Sequence, residues 1–500
     1  MEDKKITFRS LFDKRFLILF AANVILMLPL LIYGGRNFSI DSYGLLVWGY
    51  EIHTNNFLSA FRYFGALVFR LLMLTGHNPV LNSTPDVCAA IVIVAFSVSA
   101  LVSAFLRALG KKDFFTAAAL DLGAVLIVEN RFLLDVMSFP ECVFLTAVGV
   151  FFCFAAVIVY MTKRGIGWTI LTSVLLICAM ATYQQLLSVY IILVVAYLGT
   201  VTVRNAEKGF LKNLVPYLKA AALTVVSGAV YFAVGKVIIS FFGLTENERI
   251  ALSPSGIFDN VVYFLLNQKS FLRGRMLFID HRIMLVLWLA MGLLWLVGLL
   301  VFVIKEKKIG VAALLAFSYA VAYAASYLPG IVSTSHGVRT MFALFTCFAA
   351  LTVGVLSLTQ KRVGRVLTVL TMLVLAATLA VNLEASFRAE KAQKAANAAD
   401  VEYVAAVVDS IQEHEATTGT KISSIIIEND SSRGLEGGSA FYWSYSAKSI
   451  LCYELKLRGV TGVSVYFAEE EDEYFTEEFD TLDLDRQIVY DGTTARVCVY

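Results

Sequence analysis

A chain of 500 residues with 58% hydrophobic and only 16% charged side chains carries more apolar surface than one soluble core encloses, so a bilayer is the solvent for most of it. A formal charge of +2 argues against nucleic acid as a partner, but the mean hides an asymmetry: residues 1–383 are net basic by about fourteen charges and residues 384–500 net acidic by about twelve. Two regions follow, a transmembrane part over 1–383 and a soluble acidic part over 384–500.

Apolar runs of spanning length are expected as about eleven transmembrane helices near 16–34, 87–106, 114–128, 142–160, 166–182, 184–202, 218–242, 282–304, 310–327, 341–358 and 363–382. Lys4, Lys5, Arg9, Lys14 and Arg15 precede the first run as in a signal peptide. That run is nevertheless long enough to span, and no convincing small-residue cleavage site follows, so it is expected to remain as the first helix. Every second connection is basic: Arg107 with Lys111 and Lys112, Lys163 with Arg164, Arg204 with Lys208 and Lys212, Lys305 with Lys307 and Lys308, and Lys361 with Arg362 and Arg365. The excess of Lys and Arg on cytoplasmic loops then puts the N-terminus inside and the C-terminus outside.

That alternation requires 58–74 to lie in the outer interface, its apolar face buried and Arg62 and Arg70 among headgroups. The other reading is a true span with both arginines inside the bundle, which inverts everything after it. A second long outer segment, 245–281, carries Glu246, Glu248, Lys269, Arg273, Arg275 and Asp280. Beyond residue 383 an Ala-, Glu- and Lys-rich helical stretch over 384–415 leads into strand-like runs such as "KISSIIIE", "GVSVYFA" and "ARVCVY", which predict a small α/β or α+β extracytoplasmic domain. The acidic run 469–480 is a solvated face or a cation site. Cys88, Cys142, Cys153, Cys178 and Cys347 fall in apolar stretches as small hydrophobes, whereas Cys452 and Cys498 are open to pairing if the tail is outside the cell.

Candidate chemistry gathers on the face opposite the basic loops. Asp41, in "RNFSIDSYG" just after the first run, is a carboxylate at the water–lipid boundary, suited to general-base work on a hydroxyl or to capping a helix that leaves the membrane. The connection "ENRFLLDVMSFPE" packs Glu129, Arg131, Asp135 and Glu141 into thirteen residues. Arg131 offers a bidentate fork to a phosphate, and Glu141 sits just inside a helix where an ionisable group is costly. The plainer reading is headgroup-level charge and a helix started by Pro140, with Glu141 favourable to its dipole. Tyr183 and Gln184 begin another helix as ligand contacts or as packing between helices, and His336 and Arg339 stand near the same level. Lys269, Arg273, Arg275, His281 and Arg282 add cations suited to an anionic lipid headgroup. No Walker, Rossmann, HExxH or GxSxG signature competes.

Taken in order, Asp41 after the first helix, an interfacial stretch ending at Asn78–Pro79, "ENRFLLDVMSFPE", "TYQQLLSVY" and a late "GVRT" resemble the bacterial O-antigen-modifying glucosyltransferases, polytopic α-helical membrane proteins of the GT-C type found in serotype conversion. The resemblance spans roughly 15–380; the tail has no counterpart in it, and Asp41 is followed by Ser42 where the family often pairs two acidic residues. It implies an inverting transfer of a sugar, glucose foremost, from a polyprenyl-phosphate donor to a surface polysaccharide on the outer face of the bacterial plasma or inner membrane. Asp41 is then the base, with Glu141 beside it. Glu129, Arg131, Asp135, Tyr183, Gln184, Arg273, Arg275, His336 and Arg339 are the substrate contacts. It names no certain cofactor, and a divalent cation stays open. The partners implied are the lipid donor, the polysaccharide, membrane lipid, a donor synthase and a flippase. Two other readings stand beside it: a transporter or flippase of a lipid-linked glycan, and a non-catalytic envelope assembly factor. A flippase should carry ionisable groups deep in its helices, where only Asp121 and Lys236 are found.

Overall fold

The computed structural model describes residues 11–33, 38–39, 41–111, 113–137, 139–162, 165–247, 253–273, 282–333, 338–358, 361–429, 439, 441, 444–468, 474–475, 479 and 483–499. Each expected apolar run falls on a helix. In chain order the helices are α1 (Lys14–Tyr33), α2 (Ser42–Trp48), α3 (Tyr50–Ser59), α4 (Tyr63–Leu74), α5 (Ser83–Leu109), α6 (Phe114–Val125), α7 (Arg131–Met137), α8 (Pro140–Thr162), α9 (Ile166–Met180) and α10 (Leu186–Arg204). They continue with α11 (Gly209–Phe241), α12 (Pro254–Leu266), α13 (Gln268–Arg273), α14 (Arg282–Glu306), α15 (Ile309–Ala325), α16 (Leu328–Ile331), α17 (Thr346–Leu358), α18 (Lys361–Thr418), α19 (Ser444–Leu457) and α20 (Leu484–Gln487).

Seven helices among the described residues are long and apolar enough to cross a membrane. The 23 residues of α8 extend about 35 Å, more than the ~30 Å hydrocarbon core. Packing and solvent divide the bundle. Helices α5 and α8 are largely enclosed, whereas α14 turns Leu289, Leu293, Leu296, Leu300 and Ile304 outward and α11 exposes Val225, Val226 and Val237. Such continuous aliphatic faces have a low free energy only against acyl chains. Inside, small residues let helices close up: a Cβ on Gly354 would lie 2.6 Å from the Trp295 ring, so glycine is what admits that indole.

Among the described residues the basic connections converge at one end. Arg107 Nη2 lies 3.4 Å from Asp13 Oδ2, Lys111 Nζ donates to the Leu356 carbonyl at 2.7 Å, and Lys308 Nζ is 3.0 Å from Glu207 Oε2. Helices α1, α5 and α10 each have one end in that group and run to the opposite pole, where α2, α3, α4 and α19 of the tail gather. The segment 58–74 is broken: α3 ends, Phe61 takes a positive φ of 60°, and α4 starts afresh. Twelve residues give α4 about 18 Å, short of the hydrocarbon core, and Leu67, Arg70, Leu71 and Leu74 stay exposed. Helix α6 is no longer, but its neighbours enclose it. Of the two charges expected at helix centres, Asp121 accepts from Asn23 Nδ2 at 2.9 Å, and Lys236 reaches out near its helix end to pair with Glu246.

The expected boundary at residue 383 is not a break. Helix α18 runs unbroken through it for 58 residues, because after Gly364 the sequence offers neither Gly nor Pro until Thr418. Beyond it, strands β1 (Ser424–Asn429), β2 (Ser464–Phe467), β3 (Ile488–Asp491) and β4 (Thr494–Val499) form a sheet of order β2-β1-β4-β3. β1 is parallel to both neighbours and β3 pairs antiparallel with β4. Val404, Val407 and Ile411 of α18 and Ala447 and Leu451 of α19 pack on Ile425, Ile427, Val465 and Val497 of the sheet. Tyr43 of α2 enters that same core, which fastens the tail to the membrane part. Cys452 and Cys498 are both free thiols, so the pairing left open by the sequence is not made.

Candidate active site

Glu141 is the second residue of α8, after Pro140, and is only 3% exposed. A carboxylate there faces the positive end of the helix, and its lone pairs still need partners. Two serines supply them: Ser39 Oγ donates to Oε1 at 3.0 Å and Ser42 Oγ to Oε2 at 3.2 Å. Between these serines stands Asp41, whose N–H donates to Ser39 Oγ at 3.1 Å. Asp41 occupies the N-cap position of α2, yet its carboxylate makes no capping bond. Its Oδ1 instead accepts the hydroxyl of Tyr445, on α19 of the tail, at 2.9 Å. His53 lies within range of its charge: desolvation pushes the imidazole below the usual value of 6.5, and the Asp41 carboxylate partly opposes that shift.

The kink at Phe61 presents the next residue, Arg62. The Phe61 ring stacks on Phe232 at 5.2 Å, and Tyr231 donates its hydroxyl to the Phe61 carbonyl at 3.1 Å. Arg62 then lies 4.9 Å over the Tyr183 ring and donates from Nε to Gln184 Oε1 at 3.4 Å. Gln184 in turn donates to the Ala60 carbonyl, and Tyr183 donates to the Arg339 carbonyl at 3.3 Å. The Arg339 guanidinium sits 5.4 Å over Phe139, one residue before α8 begins. A small, half-open pocket is lined by Phe57, Arg62, Cys142, Thr146, Thr182 and Tyr183 among others. Cys142, on the pocket wall beside Arg62, lies within electrostatic range of Glu141, Asp41 and Arg339 as well, so two carboxylates and two guanidiniums stand near this side of the pocket.

Asp41, Glu141, Tyr183, Gln184 and Arg339 are thereby brought together; other expected contacts are not. Arg131 is buried, with both its N–H and its Nε on Asn382 Oδ1 at 3.3 and 3.2 Å, bracing α7 to α18. Glu129, half-buried in the turn after α6, is pushed up to about 8 by desolvation and is therefore neutral at pH 7, unsuited to binding a cation there. Arg273 ends α13 and lines no part of the pocket. Arg275, His281 and His336, and the side chain of Asp135, lie outside the described residues. Arg62, Ser39, Ser42 and Tyr445 were not expected as site residues. Arg62 was visible only as a cation in an apolar stretch, and Tyr445 carries no local signal. Among the described residues no group of three or more His, Cys, Asp or Glu is placed to hold a metal ion.

The sequence profile described as glucosyl transferase GtrII matches residues 35–358. The chain belongs to the GtrII glucosyltransferase family. No curated protein and no solved structure matches it. Membership of GtrII makes the chain a membrane glucosyltransferase, and the matched segment contains Asp41, Arg62, Glu141, Tyr183, Gln184 and Arg339. The tail that carries Tyr445 lies beyond the GtrII match.

Proposed function

We propose that the chain transfers glucose from a polyprenyl-phosphate donor to a hydroxyl of a surface polysaccharide, with inversion, at the outer face of the bacterial plasma or inner membrane. In this reading eleven helices span, the N-terminus is cytoplasmic, and 384–500 is extracytoplasmic. The observation that carries it is the meeting of Asp41 and Glu141 with Arg62 and Arg339 near one side of the pocket, at the pole opposite the basic loops. The Asp41 carboxylate takes the proton of the acceptor hydroxyl. The oxygen attacks the anomeric carbon on the face away from the phosphate, and the carbon–oxygen bond to phosphate breaks with its electron pair going to the leaving polyprenyl phosphate. That group needs charge stabilisation more than protonation, which fixed guanidiniums supply. Glu141, held by Ser39 and Ser42, positions the turn that carries Asp41.

The test is mass analysis of surface polysaccharide and lipid-linked sugars in a deletion strain complemented with wild type or Asp41→Asn. Loss of one glucose branch with accumulated lipid-linked glucose, restored by wild type and not by the variant at equal protein level, is the expected result. An intact branch with accumulated unflipped precursor sinks the transferase reading in favour of a flippase.

A further inference from the structure

Three aromatic side chains stay half-exposed where the tail meets the candidate base: Trp48 at 46%, Tyr445 at 48% and Tyr466 at 53%. Trp48 ends α2, the helix that begins after Asp41; Tyr445 starts α19; Tyr466 lies on β2. Within α19, Tyr445, Lys448 and Ser449 share one face at i, i+3 and i+4. Each does something different on it. Tyr445 donates to Asp41, Ser449 Oγ accepts the Trp48 indole N–H at 3.2 Å, and the Lys448 ammonium lies 5.6 Å from the Trp48 ring and 5.9 Å from the Tyr466 ring. The indole edge is therefore tied down while much of the ring stays open to solvent. An ammonium with three donors stands between two rings.

We infer that Trp48, Tyr445, Lys448 and Tyr466 form the platform on which the acceptor glycan lies. This rests on the proposed transfer reaction and deepens it. An acceptor whose hydroxyl reaches Asp41 must lay its neighbouring sugars over whatever surrounds Asp41, and on this side that surface is the tail helix and its aromatics. A pyranose has one face of slightly positive C–H bonds, which suits an electron-rich ring, and a rim of hydroxyls, which suits an ammonium and phenols. A lipid chain would select aliphatic side chains, and an aromatic belt would belong to the spanning helices, whereas Tyr466 is on a sheet strand beyond the last apolar run. Trp48 falls within the GtrII match and Tyr445, Lys448 and Tyr466 lie beyond it, so the tail's share of the platform gives this chain its own choice of acceptor on the family's transfer site.

The experiment uses the full chain in lipid nanodiscs, polyprenyl-phosphate glucose as donor, and as acceptor the surface polysaccharide purified from the deletion strain. Trp48→Ala and Tyr466→Ala are each expected to raise the acceptor KM about tenfold while the donor KM holds, with Trp48→Phe and Tyr466→Phe recovering most of the loss. An acceptor KM within about twofold of wild type overturns the platform. So does a parallel rise in both KM values, which marks the aromatics as membrane anchors or the bundle as disturbed. Binding of the same polysaccharide without donor separates the two proposals. A wild-type chain that binds it, loses binding in the alanine variants and shows no transfer keeps the platform and refutes the transferase; equal binding by wild type and variants, or none by wild type, refutes the platform.

Discussion

Ser42 donates its hydroxyl to Glu141 at 3.2 Å although 99 residues separate them, and this bond joins the first turn of α2 to the first turn of α8. With Ser39 on the other oxygen, Glu141 holds the serines two residues before and one residue after Asp41. Glutamine at 141 keeps one acceptor oxygen and turns an N–H₂ towards the second hydroxyl, so one buried hydrogen bond is lost. Glu141→Gln should lower the thermal midpoint, in line with a cost of about 1–3 kcal/mol, and should lower kcat more than it raises either KM. A variant with wild-type kcat and melting temperature removes Glu141 from this role.

Arg62 is a cation on the pocket wall, 4.9 Å from the centre of the Tyr183 ring and tied to Gln184. Replacing it by alanine removes the guanidinium that the proposed reaction sets against the donor phosphate. Arg62→Ala should raise the donor KM at least tenfold, and lysine should restore only part, since it lacks the planar fork. Donor titrations at saturating acceptor check this; unchanged donor KM in both variants would place the phosphate elsewhere.

Gly235 of α11 has no side chain because the Phe61 ring occupies that space: a Cβ there would lie 2.1 Å from the ring. Gly235→Ala therefore expels the ring that stabilises the positive φ of Phe61 and, through it, the direction of Arg62. A loss of roughly 1–3 kcal/mol is expected from overpacking, read as a lower melting temperature in detergent together with a raised donor KM. A variant as stable and as active as wild type would show that the kink does not depend on this contact.

Glu129 sets a pH dependence of stability. Its folded pKa, about 8, is raised above its ordinary 4.5, so the unfolded chain is the one that releases the proton first. The stability held by the neutral carboxyl is complete below about 4.5 and is lost as pH rises through about 8. Glu129→Gln, neutral at every pH, should flatten that slope and leave the protein more stable than wild type at pH 9. Melting curves from pH 5 to about 9 test it; parallel profiles for the two proteins contradict the assignment.

Much of the bundle was legible because lipid as solvent imposes a one-dimensional signal. A run such as 142–160 must be apolar throughout, and Lys and Arg mark alternate connections, so helices and the basic pole could be read residue by residue. Asp41, Glu141, Tyr183, Gln184 and Arg339 were legible for a related reason: polar groups at the edge of an apolar run are costly and stand out. Arg62 was seen but assigned to headgroups, because nothing local foretells that Phe61 kinks the chain and turns the guanidinium inward. Arg131 misled in the opposite direction, since the partner that occupies it, Asn382, lies 251 residues away.

The sequence by itself determined a membrane protein, the positions of its apolar helices, the pole that carries its basic loops and the kinship on which its chemistry rests, because each follows from composition and order along the chain. Tertiary structure alone decided which charges stand near one pocket, and that the tail reaches Asp41 through Tyr445. Those depend on side chains meeting across hundreds of residues, where the geometry of packing, rather than any local pattern, selects the partners.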